Sequence, residues 1–285
     1  MTAVDRAAAA VRHHYDVGNE FYALWLDPSL TYSCALRTGT DDTLEQAQDR
    51  KLRYHLDAVG ADAAARVLDV GCGWGAILKR LSDKGVAATG LTLSLEQAAY
   101  VRAAGWAGVD VHTEHWVQYR PAARFDGIIS IGAFEHFAGL ELSAAERIET
   151  YREFFRRCRD WLTPGGALSL QTIAYANMSA ENADRFVQQE IFPDAELPTL
   201  AEIAAAADQI FEVVSLRNDR LDYAWTCRQW AARLRARRAE ATALVGPEVV
   251  ARYERYLTMS SLGFHMGKLG LLRIVLRPYG KGYFQ

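Results

Sequence analysis

The chain has 285 residues, half of them hydrophobic, enough for one α/β unit of enzyme size or one carrying a sizeable insertion. Lys plus Arg number 32 against 35 Asp plus Glu, a net charge of −3, so the chain lacks the overall basic field that nucleic-acid binders use, and nucleic acid is not an expected partner. Cys34, Cys72, Cys158 and Cys227 form no CxxC pair, which argues against a zinc ribbon or disulfide scaffold and for reduced thiols in the cytoplasm, with no metal site expected.

Residues 1–12 are Ala-rich and lack the pattern of a secretory signal. No apolar run reaches the length of a membrane span, so any lipid contact is expected to be peripheral. Residues 2–36 read as helical and aromatic, with Tyr15, Phe21, Tyr22, Trp25 and Leu26 at helix-like intervals before an Asp27-Pro28 turn. A helix over 43–59 carries the stripe Leu44, Ala47, Leu52, Leu56 and Val59 and ends at Gly60. An alternation follows: strand 67–70, turn and helix 74–85, strand 87–93, helix 94–105, then strand 125–131 and a long helix over 143–162. This order implies a mostly parallel α/β sheet with right-handed crossovers. The Thr163-Pro164-Gly165-Gly166 turn leads into strand 167–173. Residues 175–199 break the alternation and read as a lid insertion over the ligand edge. A helix over 200–210, a strand over 211–216, an Arg-rich helix over 226–244, a helix over 248–259 and a strand over 271–276 complete the chain. The expected organisation is a single domain, 1–285: a helical cap (1–60), a cofactor-binding core (61–174), the lid and the second half of the core (200–285).

The sharpest local signal is Leu68-Asp69-Val70-Gly71-Cys72-Gly73-Trp74-Gly75, set between a strand and a helix. Gly71, Gly73 and Gly75 at alternate positions allow a tight turn and close approach of backbone to ligand. Asp69 sets the ligand class. A carboxylate there would repel a dinucleotide pyrophosphate, whereas S-adenosylmethionine has an ammonium, a sulfonium and no phosphate. Asp69 is expected either to order the loop or to attract the amino-acid end of that cofactor. At the next strand end Thr92, Leu93 and Ser94 replace the usual ribose acid, and Gln97 offers an amide to the cofactor or is an exposed helix residue.

With His14-Tyr15-Asp16, Leu26-Asp27-Pro28, Thr31-Tyr32-Ser33-Cys34, the glycine loop, 90–94, 130–137 and Glu190-Ile191-Phe192-Pro193 in order, the chain resembles the cyclopropane-fatty-acyl-phospholipid synthase and mycolic acid methyltransferase family. The resemblance runs from about His14 to Arg277. It implies a Rossmann-like class I methyltransferase fold with a seven-stranded sheet, a helical N-terminal cap and a lid, and it implies S-adenosylmethionine as cofactor and S-adenosylhomocysteine as product. It also implies methyl transfer to an alkene carbon of an unsaturated lipid, isoprenoid or natural product, followed by proton loss from a carbocation.

Carried over by the resemblance, Tyr32, Ser33, Gly71, Gly73, Leu93, Gln97, Trp116 and Ile131 line the cofactor site. Glu135 matches a glutamate that, with a tyrosine and a histidine, holds a bicarbonate base. Tyr223 and the backbone at Cys34 face the same place. Tyr15, Phe134, Phe137, Trp225 and Phe264 supply aromatic walls for a cation. Departures from the family are equally specific. Gln171 stands where the family has histidine; it can donate to an anion but carries no positive charge, which leaves Glu135 or a water it holds as the base. Ser260 replaces a cysteine and Val117 a glutamate of the mycolic branch, and the insertion is shorter; the shorter insertion and the altered base site together point to a smaller alkene such as a prenyl diphosphate or a natural-product intermediate. The alternatives left open are an N- or O-methyltransferase of small molecules and a cofactor-binding scaffold. Arg228, Arg233, Arg235, Arg237 and Arg238 form either a solvated helix face or a surface for a phosphate, a carrier protein or an anionic membrane.

Overall fold

The computed structural model describes residues 17–178 and 196–280. Tyr15, the Glu190-Ile191-Phe192-Pro193 motif and most of the expected lid lie outside the described residues. Seven strands form one sheet in the order β3-β2-β1-β4-β5-β7-β6: β1 (Arg66–Val70), β2 (Ala87–Thr92), β3 (Val109–Thr113), β4 (Phe125–Ile131), β5 (Leu162–Tyr175), β6 (Phe211–Asn218) and β7 (Leu269–Pro278). β1 to β5 run parallel, and β7 is antiparallel to both β5 and β6. The chain leaves β1 toward β2 on one side and returns to β4 on the other, so the carboxyl ends of β1 and β4 form the crevice where open α/β sheets hold ligands.

The helices are α1 (Asn19–Ala23), α2 (Leu44–Ala58), α3 (Ala76–Asp83), α4 (Leu95–Ala104), α5 (Ala144–Trp161), α6 (Leu200–Ala207), α7 (Arg220–Ala236), α8 (Arg238–Val245) and α9 (Pro247–His265). Three of the starts are set by reciprocal side-chain bonds: Thr43 with Gln46, Ser143 with Glu146 and Thr199 with Glu202 each close a capping box. Strand side chains alternate between two cores. Val67 and Ile129 face α2, α3 and α4, while Leu68, Val70 and Ile128 face α5 and α6. A third core joins α1 to α7, α8 and α9 through Phe21, Tyr22, Trp25, Trp230 and Tyr253, and it seats the cap at the ligand edge.

Several elements differ from the sequence-based expectation. β3 is a strand without a counterpart there: Val109-Asp110-Val111-His112-Thr113 is an edge strand whose one buried residue is Val111, so it has the alternation but not the apolar density of its neighbours. The Arg-rich helix begins at Arg220 rather than 226, and it breaks at Arg237, whose φ of −111° and ψ of 25° leave the helical range. The helix over 200–210 stops at Ala207, and Gln209 turns into β6 with φ 61°. The Thr163-Pro164-Gly165-Gly166 turn lies within β5 as an irregularity in its pairing with β4.

Candidate active site

A cleft opens at the carboxyl ends of β1, β2 and β4 and holds about 1020 Å³ of space, counted out to its open mouth. Tyr32, Ser33, Asp69, Gly71, Gly73, Thr92, Leu93, Gln97, Trp116, Ile131 and Phe137 all line it, so most residues expected around a cofactor meet in one place. The glycine loop shows why. Gly71 has φ 85°, and a Cβ there would lie 2.4 Å from that of Ala133, so the loop presses against the segment following β4. Gly73 has φ 54°, and a Cβ there would have no atom within 4 Å, so its backbone borders open space. Gly75 does not line the cleft. It caps α3 in the left-handed conformation, and a Cβ there would meet Trp106 at 2.7 Å.

The polar groups are arranged around this floor. Asp69 is buried beside the glycine loop, and desolvation raises its carboxyl to about 7 against the pull of Lys51. Thr92 donates to Gln97 Oε1 at 2.7 Å, and Ser94 caps α4. Gln97 is therefore a buried, oriented amide and not an exposed helix residue. His115 stacks against Trp116 with centroids 5.3 Å apart, and burial lowers both His115 and His136 to about 4, so the lining imidazoles are neutral. Trp116 Nε1 is buried without a hydrogen-bond partner among the described residues. An unpartnered buried donor, an unfilled glycine cradle and a carboxylate with no protein hydrogen bond among the described residues fit the adenosine and amino-acid ends of S-adenosylmethionine.

Glu135 sits on the single 3₁₀ turn Phe134–His136 after β4, flanked by cleft-lining Ala133 and His136. Its Oε1 accepts the Ile173 backbone N–H at 2.6 Å. Its Oε2 is buried with no hydrogen-bond partner among the described residues. Burial raises the carboxyl to about 7, while the Ile173 amide and the Thr172 hydroxyl partly offset the rise.

Gln171 serves a different purpose from the one its position suggested. β5 and β7 pair it directly with Arg273, whose Nε donates to Gln171 Oε1 at 2.8 Å. Arginine has no acceptor, so the amide oxygen must face it. His55 Nε2, 3.3 Å from the same oxygen, is then the donor, and Nδ1 accepts from Ser169 Oγ at 2.8 Å. The other guanidinium nitrogens bond Asp219, the Cys34 carbonyl at 3.1 Å and the Ala35 carbonyl at 3.0 Å. The expected backbone face of Cys34 is thus held by Arg273, and burial pushes its thiol up to about 12. In this cluster the cation is saturated, and two of the groups expected around a bicarbonate are turned toward it, so the arrangement does not fit that ion.

Of the expected aromatic walls, Phe137 lines the cleft, and Tyr223 and Phe264 pack ring to ring at 4.5 Å in the cap. Trp225 is buried in the cap under the Arg37 guanidinium. Phe134 is a correction: it is fully buried and stacked on Tyr151 at 4.4 Å, inside the core beneath α5. Sequence reasoning missed Lys51, His55 and Arg273. Each carried a signal, since Lys51 and His55 interrupt the apolar stripe of α2 one turn apart, and Arg273 is a lone charge in Leu271-Leu272-Arg273-Ile274-Val275-Leu276.

With this geometry in hand, comparison with known proteins is decisive. The family model described as mycolic acid cyclopropane synthetase matches residues 2–274. The chain belongs to this family. It is 36% identical over 272 residues to cyclopropane mycolic acid synthase 2 of Mycobacterium leprae, covering 87% of each chain. It superposes on the cyclopropane synthase MmaA2 of Mycobacterium tuberculosis with a TM-score of 0.85 at 32% identity, covering 94% of this chain and 97% of that one. The mycolic acid cyclopropane synthase CmaA1 in complex with SAH and CTAB gives the same TM-score, identity and coverage. The protein is accordingly an S-adenosylmethionine-dependent methyltransferase of the cyclopropane synthase family with the Rossmann-like class I fold. Among the described residues no helix is long and apolar enough to cross a membrane.

Proposed function

We propose that the enzyme methylates an alkene carbon of an unsaturated acyl lipid and that Glu135 then removes a proton from the resulting carbocation, leaving a cyclopropane or a methyl-branched alkene. When bound, S-adenosylmethionine supplies an electrophilic methyl carbon that a π bond attacks without help from an acid. The chain's own task is therefore to bind, orient and exclude water. Asp69, Gly71 and Gly73 position the amino-acid end, and Gln97 and Trp116 the adenosine end. Tyr223, Phe264 and Phe137 offer ring faces that stabilise a cation without trapping it as an adduct.

The observation that carries the reading is Glu135 Oε2, a buried carboxylate oxygen with no hydrogen-bond partner among the described residues, on the turn between cleft-lining Ala133 and His136. Its raised pKa matches a base that takes one proton near neutral pH. Methyl transfer to an amine would need no such oxygen, because the lone pair attacks directly and any excess proton leaves to water. The names of the relatives support a lipid acceptor. The smaller-alkene expectation rested on the shorter insertion, most of which lies outside the described residues, and on the altered base site at Gln171.

The test is incubation with methyl-labelled cofactor and separate pools of unsaturated acyl lipids and prenyl diphosphates, with products analysed by mass spectrometry. Label in the acyl pool as a cyclopropane or branched alkene is the expected result. Label confined to prenyl diphosphates would move the substrate to the smaller class, and label on nitrogen or oxygen would overturn the alkene chemistry.

A further inference from the structure

Lys51 is an ammonium buried to 1% exposure on α2, yet its place in the cleft wall is not explained by any protein ion pair among the described residues. Its hydrogen-bond partner there is Ser33 Oγ, at 3.0 Å, which leaves two of three N–H donors unused. Asp27 contributes favourable charge from nearby, but both its oxygens are already occupied by Ser29 and Thr31. Arg273 opposes the Lys51 charge, and Cys34, Asp69 and His55, one turn along α2, are the other titratable groups that face it. Asp69 lines the same cleft, 2% exposed, and accepts no hydrogen bond among the described residues. A buried cation and a buried anion thus share one cavity wall, each with unfilled hydrogen-bonding capacity. Leaving such groups unmet is costly, and neither is close enough to the other to form an ion pair. Desolvation moves both toward neutrality: Lys51 falls to about 7 and Asp69 rises to about 7.

We infer that Lys51 and Ser33 together bind the α-carboxylate of the cofactor while Asp69 binds its α-ammonium, so that the wall recognises the amino-acid end as a zwitterion. A ligand carrying both charges fills the unused donors and acceptors at once, and its two charges cancel in the buried space. A ligand with one of them leaves a charge unpaired. The inference rests on the cofactor and is independent of the acceptor chemistry proposed above.

Calorimetric titration with S-adenosylhomocysteine and with 5′-methylthioadenosine separates the contributions, because the second ligand keeps the adenosine and thioether and lacks the amino-acid end. In the unmodified enzyme S-adenosylhomocysteine is the tighter ligand. Lys51→Met is expected to weaken it by roughly ten- to a hundredfold, the size of a lost charged hydrogen bond, and to leave methylthioadenosine within about twofold of the unmodified value, a twofold change being only a small fraction of the tenfold step. Equal weakening of both ligands would assign Lys51 a merely structural role, and unchanged binding of both would also overturn the inference. Should Lys51→Met fail to fold, Lys51→Gln, which keeps a donor without the charge, gives the same comparison. Failure of the unmodified enzyme to bind either ligand would instead overturn the cofactor site.

Discussion

Arg273 Nε donates to Gln171 Oε1 at 2.8 Å across the β5–β7 pair, and the same guanidinium reaches the Cys34 and Ala35 carbonyls. One buried cation thereby ties the end of the sheet to the segment that carries Tyr32 and Ser33. Arg273→Met would leave the Cys34 and Ala35 carbonyls without their side-chain donor and take one of two partners from Asp219 and from Gln171 Oε1, Arg217 and His55 remaining. The expected loss is about 2–6 kcal/mol of stability, at roughly 1–3 kcal/mol for each buried carbonyl left unpaired, read as a fall in the denaturant midpoint at unchanged m-value.

The same pair determines what a histidine would do at position 171. Arg273 already helps hold His55 well below its ordinary value, and a second imidazole facing that guanidinium would be depressed in the same way. Gln171→His is therefore expected to remain neutral above pH 6, with an imidazole pKa below the usual histidine range of about 6.5. Titration by NMR of labelled histidine would show it, and a pKa at or above the usual value would contradict this charge balance.

Glu135 joins activity to stability in opposite directions. Its carboxyl lies at about 7 in the folded chain against an ordinary 4.5, so the folded state holds the proton more tightly. Its contribution to stability is full below pH 4.5, falls as pH rises toward 7 and is lost above that. Glu135→Gln does not titrate, so its stability relative to the unmodified enzyme should climb across that window, by about 3 kcal/mol at most. Alkene methylation should drop at least a hundredfold in the same variant, the lower end of what general-base catalysis contributes. In the unmodified enzyme, activity should rise through pH 7 as the base ionises. Loss of stability without loss of activity in Glu135→Gln would reverse the assignment.

Two glycines of one loop should fail for different reasons. Gly71→Ala drives a methyl into Ala133 at a positive φ, and a loss of roughly 2–4 kcal/mol is expected from overpacking together with backbone strain. Gly73→Ala meets no protein atom, so its stability cost should stay near the 1–2 kcal/mol of left-handed strain. Its methyl borders the cleft, however, and binding of S-adenosylhomocysteine should suffer. Thermal melts with and without that ligand separate the two cases.

Phe134 offers a check on the boundary between core and pocket. Stacked on Tyr151 and enclosed by Phe154 and Phe155, Phe134→Ala should cost about 3–5 kcal/mol. The milder Phe134→Leu should cost less than about 1.5 kcal/mol and leave the KM for the acceptor unchanged. A shifted acceptor preference in the leucine variant would return this ring to the substrate wall.

Much of this was legible in the chain by itself. The alternation of strand and helix periods specified a parallel α/β sheet, because burial on both faces demands unbroken apolar runs such as 125–131. The run from Asp69 to Gly75 specified a ligand with positive charge and no phosphate, because local conformation and one carboxylate suffice for that conclusion. Asp69 and Gln97 were legible as candidate cofactor residues for the same local reason, whereas Trp116 and Glu135 became candidates through the family resemblance. What distance along the chain concealed was decided only by tertiary structure. Gln171 faces Arg273, 102 positions away, and is turned by it; Lys51 is buried against Ser33 and opposite Asp69; Phe134, next to Glu135 in sequence, points into the core. A single 3₁₀ turn sends adjacent side chains to opposite sides of the sheet edge, and partners of buried charges are chosen by packing between strands and helices that the sequence sets far apart.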